Sequence, residues 1–188
     1  EHIRSEGHFL CRLAQHAEHL FYFYGIETLR IKGERGQQID LQFAEYINPD
    51  GELDYGNLGF YPDGFVQRDV YILKGEGEEV FEPQFTYHGA RYCLVLGLTD
   101  EQATEELLTF DICASAIGDR GDFRCSDDNV NKLQAMTRNS DLSNFYYFPT
   151  DCPHREKNGW TGDAAVSCEQ LSLNFAPEKS YKEALRTS

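Results

Sequence analysis

The sequence predicts an α+β chain built in two parts, an antiparallel β-sandwich followed by α-helices. Between about residues 27 and 117, apolar side chains recur at every second position, the spacing that turns one face of a strand into a core. Turn residues interrupt these runs roughly every eight to twelve positions, giving about seven short strands, the pattern of a sandwich. After Gly118-Asp-Arg-Gly-Asp122 the apolar spacing becomes helical. The expected boundary therefore lies near residue 120, with a sandwich over 1–120 and a helical part over 121–188.

Residues 1–25 have no clean period, because Phe9 to Tyr24 mixes histidines, aromatics and leucines. His16 and His19 read as a metal pair or as half-buried histidines beside an aromatic cluster; without a third ligand the second reading is favoured. Leu29 and Ile31 then alternate with polar residues, Gly33 to Gly36 supply a turn, and Ile39, Leu41 and Phe43 continue the alternation. Asn48-Pro-Asp-Gly51 is a turn with a mechanism: Pro presets φ and Gly takes the left-handed conformation. Residues 52–65 read as an irregular aromatic loop packing across the end of a sheet. Further strands are expected over Val66 to Leu73, Val80 to Thr86, Ala90 to Leu98 and Glu106 to Ile117, with Lys74-Gly-Glu-Gly77 as a turn.

Beyond the boundary, Ser126-Asp-Asp-Asn129 is a helix-start signature, its acids set to meet the positive end of the helix dipole. Val130, Leu133, Met136 or Thr137, and Ser140 follow at helical spacing, and the helix should end near Asn144. A second helix is expected from about Gly162 to Asn174, and Pro177 opens a third as a first-turn proline.

Composition narrows the class of partner. Of 188 residues, 40% are hydrophobic and 13% aromatic, enough for a packed core. A net charge of −15 argues against nucleic acid or an anionic membrane surface, since both need a basic footprint. No apolar run approaches the ~20 residues of a membrane span. The chain opens at Glu1 without a methionine or signal peptide, and is expected to be a piece of something longer. Its six cysteines form no C-x-x-C pair and lie at irregular spacings, so free buried thiols are expected rather than a zinc site. Such thiols fit a reducing, cytoplasmic compartment.

Between the first two helices lies the stretch Phe148 to Asp163, F-P-T-D-C-P-H-R-E-K-N-G-W-T-G-D. It holds three carboxylates (Asp151, Glu156, Asp163), an arginine and the only tryptophan, punctuated by prolines and glycines that keep it a structured loop. Acids beside an indole suit a sugar: carboxylates for hydroxyls and proton transfer, an aromatic face for the ring's C–H surface. The string strongly resembles the signature of bacterial α-L-rhamnosidases, an inverting glycoside hydrolase family, usually seen as D-C-P-x-R-E-x-x-G-W-x-G-D, and every fixed position is filled. Looser resemblance to that family's sandwich module runs through Phe43-Ala-Glu45, Pro49-Asp-Gly51 and Pro83 to Tyr92, with Ala90 where the family tends to show an aromatic. Phe123 to Ser126 and Thr150 to Ala164 resemble its entry into an (α/α)6 barrel.

The resemblance implies a sandwich followed by the first helices of that barrel. It places the general acid on Glu156 and sugar binding on Asp151, Arg155, Trp160 and Asp163, with no metal and no cofactor. The general base would come from a later helix, in the remainder of a parent chain. The implied substrate is a rhamnose-containing glycoside or polysaccharide. Read from the residues alone, Arg155-Glu-Lys157 is a solvated charge run whose cations favour an ionised Glu156. Asp163 alone reads as an ordinary N-terminal helix acid, and Trp160 as an anchor for the following helix. Cys152 and His154 flank a proline and point apart without a third orienting group, so Cys152 is read as packing rather than as half of a thiol dyad. The competing reading of the whole is a non-catalytic carbohydrate-binding or scaffolding fragment.

Overall fold

The computed structural model describes residues 3–5, 8–13, 24–58 and 67–187. These divide into two compact units, one ending at Ile112 and the other beginning at Cys113. His16 and His19 lie outside the described residues.

The first unit is built from β1 (Ile3–Ser5), β2 (His8–Arg12), β3 (Tyr24–Lys32), β4 (Gln38–Ala44), β5 (Tyr46–Ile47), β6 (Leu53–Asp54), β7 (Gln67–Ile72), β8 (Glu78–Phe81), β9 (His88–Gly89), β10 (Tyr92–Leu96) and β11 (Leu108–Ile112). One sheet runs β1-β2-β10-β4-β7; the other runs β11-β3-β8, with β9 also on β3. Every pairing is antiparallel. Leu29 and Ile31 from one sheet meet Ile39, Leu41, Phe43, Cys93 and Val95 from the other in a shared core, so the alternation reports a sandwich as expected. Ala90, which stands where a larger ring was anticipated, is itself in that core.

β1 and β2 fall in the stretch that has no period, and β2 shows why. Phe9, Leu10 and Cys11 are buried in succession: Phe9 and Cys11 face the main core, while Leu10 packs with Ala44 and Leu53 on the opposite face. A strand covered on both sides loses its alternation. Two expected strands are shorter than the patterns that suggested them. The run Val80 to Thr86 pairs only as Glu78–Phe81, ahead of Pro83, which has no N–H for a ladder. The run Glu106 to Ile117 pairs only over Leu108–Ile112. The Asn48–Gly51 turn closes with a Gly51 N–H to Asn48 carbonyl bond of 2.9 Å and a Gly51 φ of 91°.

Polar groups inside this unit are largely put to structural use. Glu79 accepts from the Lys74 and Gly75 N–H groups at 3.0 and 2.9 Å and from the Tyr71 hydroxyl at 2.7 Å. Those donors, the Lys74 N–H first, hold its carboxyl below the usual range. The Arg68 guanidinium does the same for Asp40, through Nε bonds of 2.9 and 2.8 Å. Glu27 behaves oppositely: burial, with the Asp69 carboxyl beside it, pushes it up to about 9. Cys11 and Cys93 sit directly across from each other on β2 and β10 as free thiols, and burial pushes Cys11 up to about 12.

The second unit comprises β12 (Gly118–Asp119), α1 (Asp128–Ser143), β13 (Phe145–Tyr146), β14 (Phe148–Pro149), α2 (Thr161–Asn174), β15 (Phe175–Ala176) and α3 (Glu178–Thr187). Asp127 caps α1, its side chain accepting from the Asn129 N–H at 2.8 Å. Asn144 closes the other end with a side-chain bond to the Ser140 carbonyl at 2.9 Å. A small core of Phe145, Leu171 and Phe175 gathers Ile117, Leu142 and Tyr181 around it. Arg138 lies 4.3 Å above the Phe175 ring and donates to the carbonyls of Gly121 and Asn174 at 3.2 and 3.1 Å, tying α1 to β15. The apolar stripe that revealed α1 lies on its exposed side, with Leu133 at 61% exposure.

Candidate functional site: an acidic cavity and the loop beside it

The chain between α1 and α2 is fixed at both ends by backbone bonds. The hairpin β13–β14 reverses at Tyr147, a non-glycine residue at φ 68°, whose N–H donates to the Ser115 hydroxyl at 2.7 Å. Thr150 then ties back to the Asn144 carbonyl through its N–H at 2.8 Å and its hydroxyl at 3.1 Å. Asp151 starts a closed loop that Asn158 ends. The Asp151 N–H donates to the Asn158 carbonyl at 3.0 Å, and the Asn158 N–H to Asp151 Oδ1 at 2.9 Å.

Inside that loop the sulfur of Cys152, buried as expected, bridges its two acids. Its thiol donates to Asp151 Oδ2 and its Sγ accepts the Glu156 N–H, both at 3.3 Å. Glu156 is held from the other side by Trp160, whose Nε1 donates to Glu156 Oε2 at 3.1 Å. Arg155 Nε stands 3.9 Å from Glu156 Oε1, at the limit of an ion pair. Lys157 is forced left-handed at φ 53° to bring the chain round. Gly159 packs on Phe148, where a Cβ would lie 2.8 Å from the ring. Burial first, then the Arg155 charge, holds His154 below its usual range.

Asp151 and Asp163 both line a cavity of about 420 Å³, together with Asp141, Thr150, Ser167 and Leu171. Asp163 reaches it from the first turn of α2, as the sequence implied. Glu156, Arg155 and Trp160 form a second group, linked to Asp151 through Cys152, and do not line this cavity. Trp160 is 53% exposed, so it is not the buried anchor of α2 that its position alone allowed.

Asp141 was not anticipated. Burial pushes its carboxyl above the usual range, against the pull of the Gln170 amide donating to Oδ2 at 2.6 Å. A signal was present, since an acid in the last turn of a helix sits at the end whose dipole disfavours it. Among the described residues, no three side chains of the loop meet as metal ligands; the one such group is Glu27, Asp69 and His88, in the sandwich unit.

Comparison with known proteins bears on what this arrangement serves. The family model described as the bacterial alpha-L-rhamnosidase concanavalin-like domain matches residues 22–117, and that described as the bacterial alpha-L-rhamnosidase 6 hairpin glycosidase domain matches residues 118–188. This chain belongs to the bacterial α-L-rhamnosidase family. It is 35% identical over 167 residues to an alpha-L-rhamnosidase of Formosa agariphila, covering 87% of this chain and 17% of that protein. The solved α-L-rhamnosidase of Dictyoglumus thermophilum superposes with a TM-score of 0.82 at 33% identity, over 96% of this chain and 20% of that one. The Streptomyces avermitilis α-L-rhamnosidase, solved in complex with L-rhamnose, gives 0.77 at 30% identity, over 94% of this chain and 16% of that one. The antiparallel sandwich is thus the concanavalin-like domain of the family, and the three helices belong to its six-hairpin domain.

Proposed function

We propose that this chain is part of an inverting α-L-rhamnosidase, hydrolysing terminal α-L-rhamnosyl linkages of glycosides or polysaccharides. Its sandwich domain covers residues 1–120, and residues 121–188 supply the first helices of the catalytic barrel. Glu156 is the general acid that protonates the leaving oxygen. Asp151, Arg155, Trp160 and Asp163 bind the sugar, and the general base comes from a later helix of the complete domain. Inversion needs a second carboxyl about 6.5–9.5 Å from the acid, with room for water between.

The observation that carries this reading is the convergence of Asp151 and Asp163, the two ends of the signature, on one cavity beside the loop that presents Glu156. Two carboxylates at a concave site accept paired sugar hydroxyls. The exposed face of Trp160, held by its bond to Glu156, offers the apolar surface a sugar ring stacks on. The Trp160 bond also fixes the carboxyl that must hand over its proton.

The test uses a chain carrying the whole six-hairpin domain. Glu156→Gln keeps shape but cannot donate the acid's proton. Turnover of a rhamnoside with a poor alcohol leaving group should fall roughly 10²–10⁴-fold. A nitrophenyl rhamnoside, which leaves as a stabilised phenolate, should lose far less, and the high-pH limb of the rate profile should vanish. Equal losses on both substrates with that limb unchanged would remove Glu156 from the role and favour a purely structural loop.

A further inference from the structure

We propose that Glu27, Asp69 and His88 form a site for a divalent first-row cation, Zn²⁺ or Mn²⁺, inside the sandwich unit. The three side chains come from β3, β7 and β9, so both sheets contribute, and one ligand atom from each lies within 4.8 Å of the other two. Glu27 is 0% exposed and His88 4%. No other side chain or neighbouring backbone group donates to either buried Glu27 oxygen; beside the carboxyl stand its own N–H and Asp69. The group it faces is Asp69, a second carboxyl, which is itself bonded to His88 Nε2. Two carboxylates side by side, Glu27 fully buried and Asp69 partly exposed, repel each other, and positive charge between them relieves that repulsion. A divalent ion balances both carboxylates at once.

The donor set suits such an ion. Two carboxylates and an imidazole match the oxygen and nitrogen preferences of Zn²⁺ and Mn²⁺. Bond lengths of about 2.0–2.2 Å place the ligands of one ion up to about 4 Å apart. The cluster admits an ion after a small contraction at its widest and a parting of Asp69 from His88. His88 is already oriented for this. Its ring stacks on Phe43 with centroids 4.2 Å apart and planes at 9°, and the Gln67 side chain clamps the backbone N–H and carbonyl of Gly89 at 2.8 and 2.7 Å. Stacking on Phe43 and the clamp on the adjoining Gly89 backbone hold the ring in place. An ion here would join β7 of one sheet to β3 and β9 of the other.

The test is uptake by the chain after purification with a chelator. Dialysis against Mn²⁺ or Zn²⁺ should load one ion per chain, measured by elemental mass spectrometry, and raise the melting temperature by several degrees, because an ion that binds only the folded state stabilises it. Glu27→Gln keeps the shape of the side chain and should abolish both effects while leaving the β-sheet circular dichroism intact. X-ray absorption of the zinc-loaded wild type provides a readout that does not depend on the variant folding: oxygen and nitrogen neighbours with an imidazole signature, and no sulfur. Sulfur ligation, uptake that survives Glu27→Gln, or a melting temperature indifferent to both cations would overturn the proposal and leave a shared proton as what holds the two carboxyls together.

Discussion

In the sandwich unit, Phe9, Leu29, Ile39, Leu41, Phe43 and Val95 are each at or below 1% exposure, whereas in the helical unit Leu133, Val166, Leu173 and Leu185 stand 61–86% exposed. In the first unit Asp40 and Glu79 are held by Arg68 and by backbone N–H groups and Glu27 lies buried beside Asp69; in the second, Asp141, Asp151 and Asp163 line an open cavity. Among the described residues of the first unit, two sheets give each other a shared core. The second has a small core and apolar side chains turned outward on all three helices. The contrast teaches that apolar burial is concentrated in the first unit, while the second carries its acids around an open cavity.

The sharpest way to break that contrast is to remove core from the first unit. Phe43 is fully buried, stacks on His88 and lies 6.3 Å from the Phe110 ring. Phe43→Ala should destabilise the sandwich by roughly 3–5 kcal/mol, read from urea unfolding followed by a sheet-specific probe. A loss below about 1 kcal/mol would mean that this core is looser than its burial indicates.

A smaller effect is expected in the second unit, and on kinetics. In a chain with the complete domain, Asp151→Asn or Asp163→Asn should cost roughly ten- to a hundredfold in kcat/KM, as unpaired polar partners of a bound sugar cost about 1–3 kcal/mol. KM should carry the loss if the same bonds hold the ground-state sugar. Asp151→Asn should also loosen the loop, since Oδ1 accepts the Asn158 N–H. Wild-type kinetics in both variants would assign these acids to structure alone.

The smallest effect is on pH. Asp40 and Glu79 are held below their ordinary values, so each contributes stability that is present above its unfolded pKa, near 4, and is lost as pH falls through its folded one. The sandwich should therefore lose stability on acidification below about pH 4–5, and Glu79→Gln should flatten part of that limb. An acid limb unchanged in the variant would show that Glu79 makes no net contribution.

What was legible in the sequence follows the same division. The helices were readable because their ends carry chemistry: Asp127 caps α1, Asn144 closes it, and Pro177 immediately precedes α3. Strands whose two faces differ were readable; β2 was not, because Phe9, Leu10 and Cys11 are all buried and no alternation survives. The members of the site were legible as a motif, but their grouping was not. Asp151 and Asp163 share a cavity, whereas Glu156 pairs with Trp160, and Cys152 links the two groups through sulfur bonds that no spacing rule encodes. Asp141 joins the cavity only because α1 and α2 pack together, as its bond to Gln170 records. The apolar stripe on α1 identified a helix but not the side it turns to solvent, since periodicity names a face and not its partner.

Amide hydrogen exchange on the 188-residue chain tests this account most directly, because it reads the stability of each unit in one experiment. Amides of β3, β4 and β10 should be protected up to the global stability, and residues 126–175 should exchange much faster, gaining protection when the complete six-hairpin domain is present. Equal protection of residues 126–175 and of those strands, in a monomer of the 188-residue chain, would contradict it.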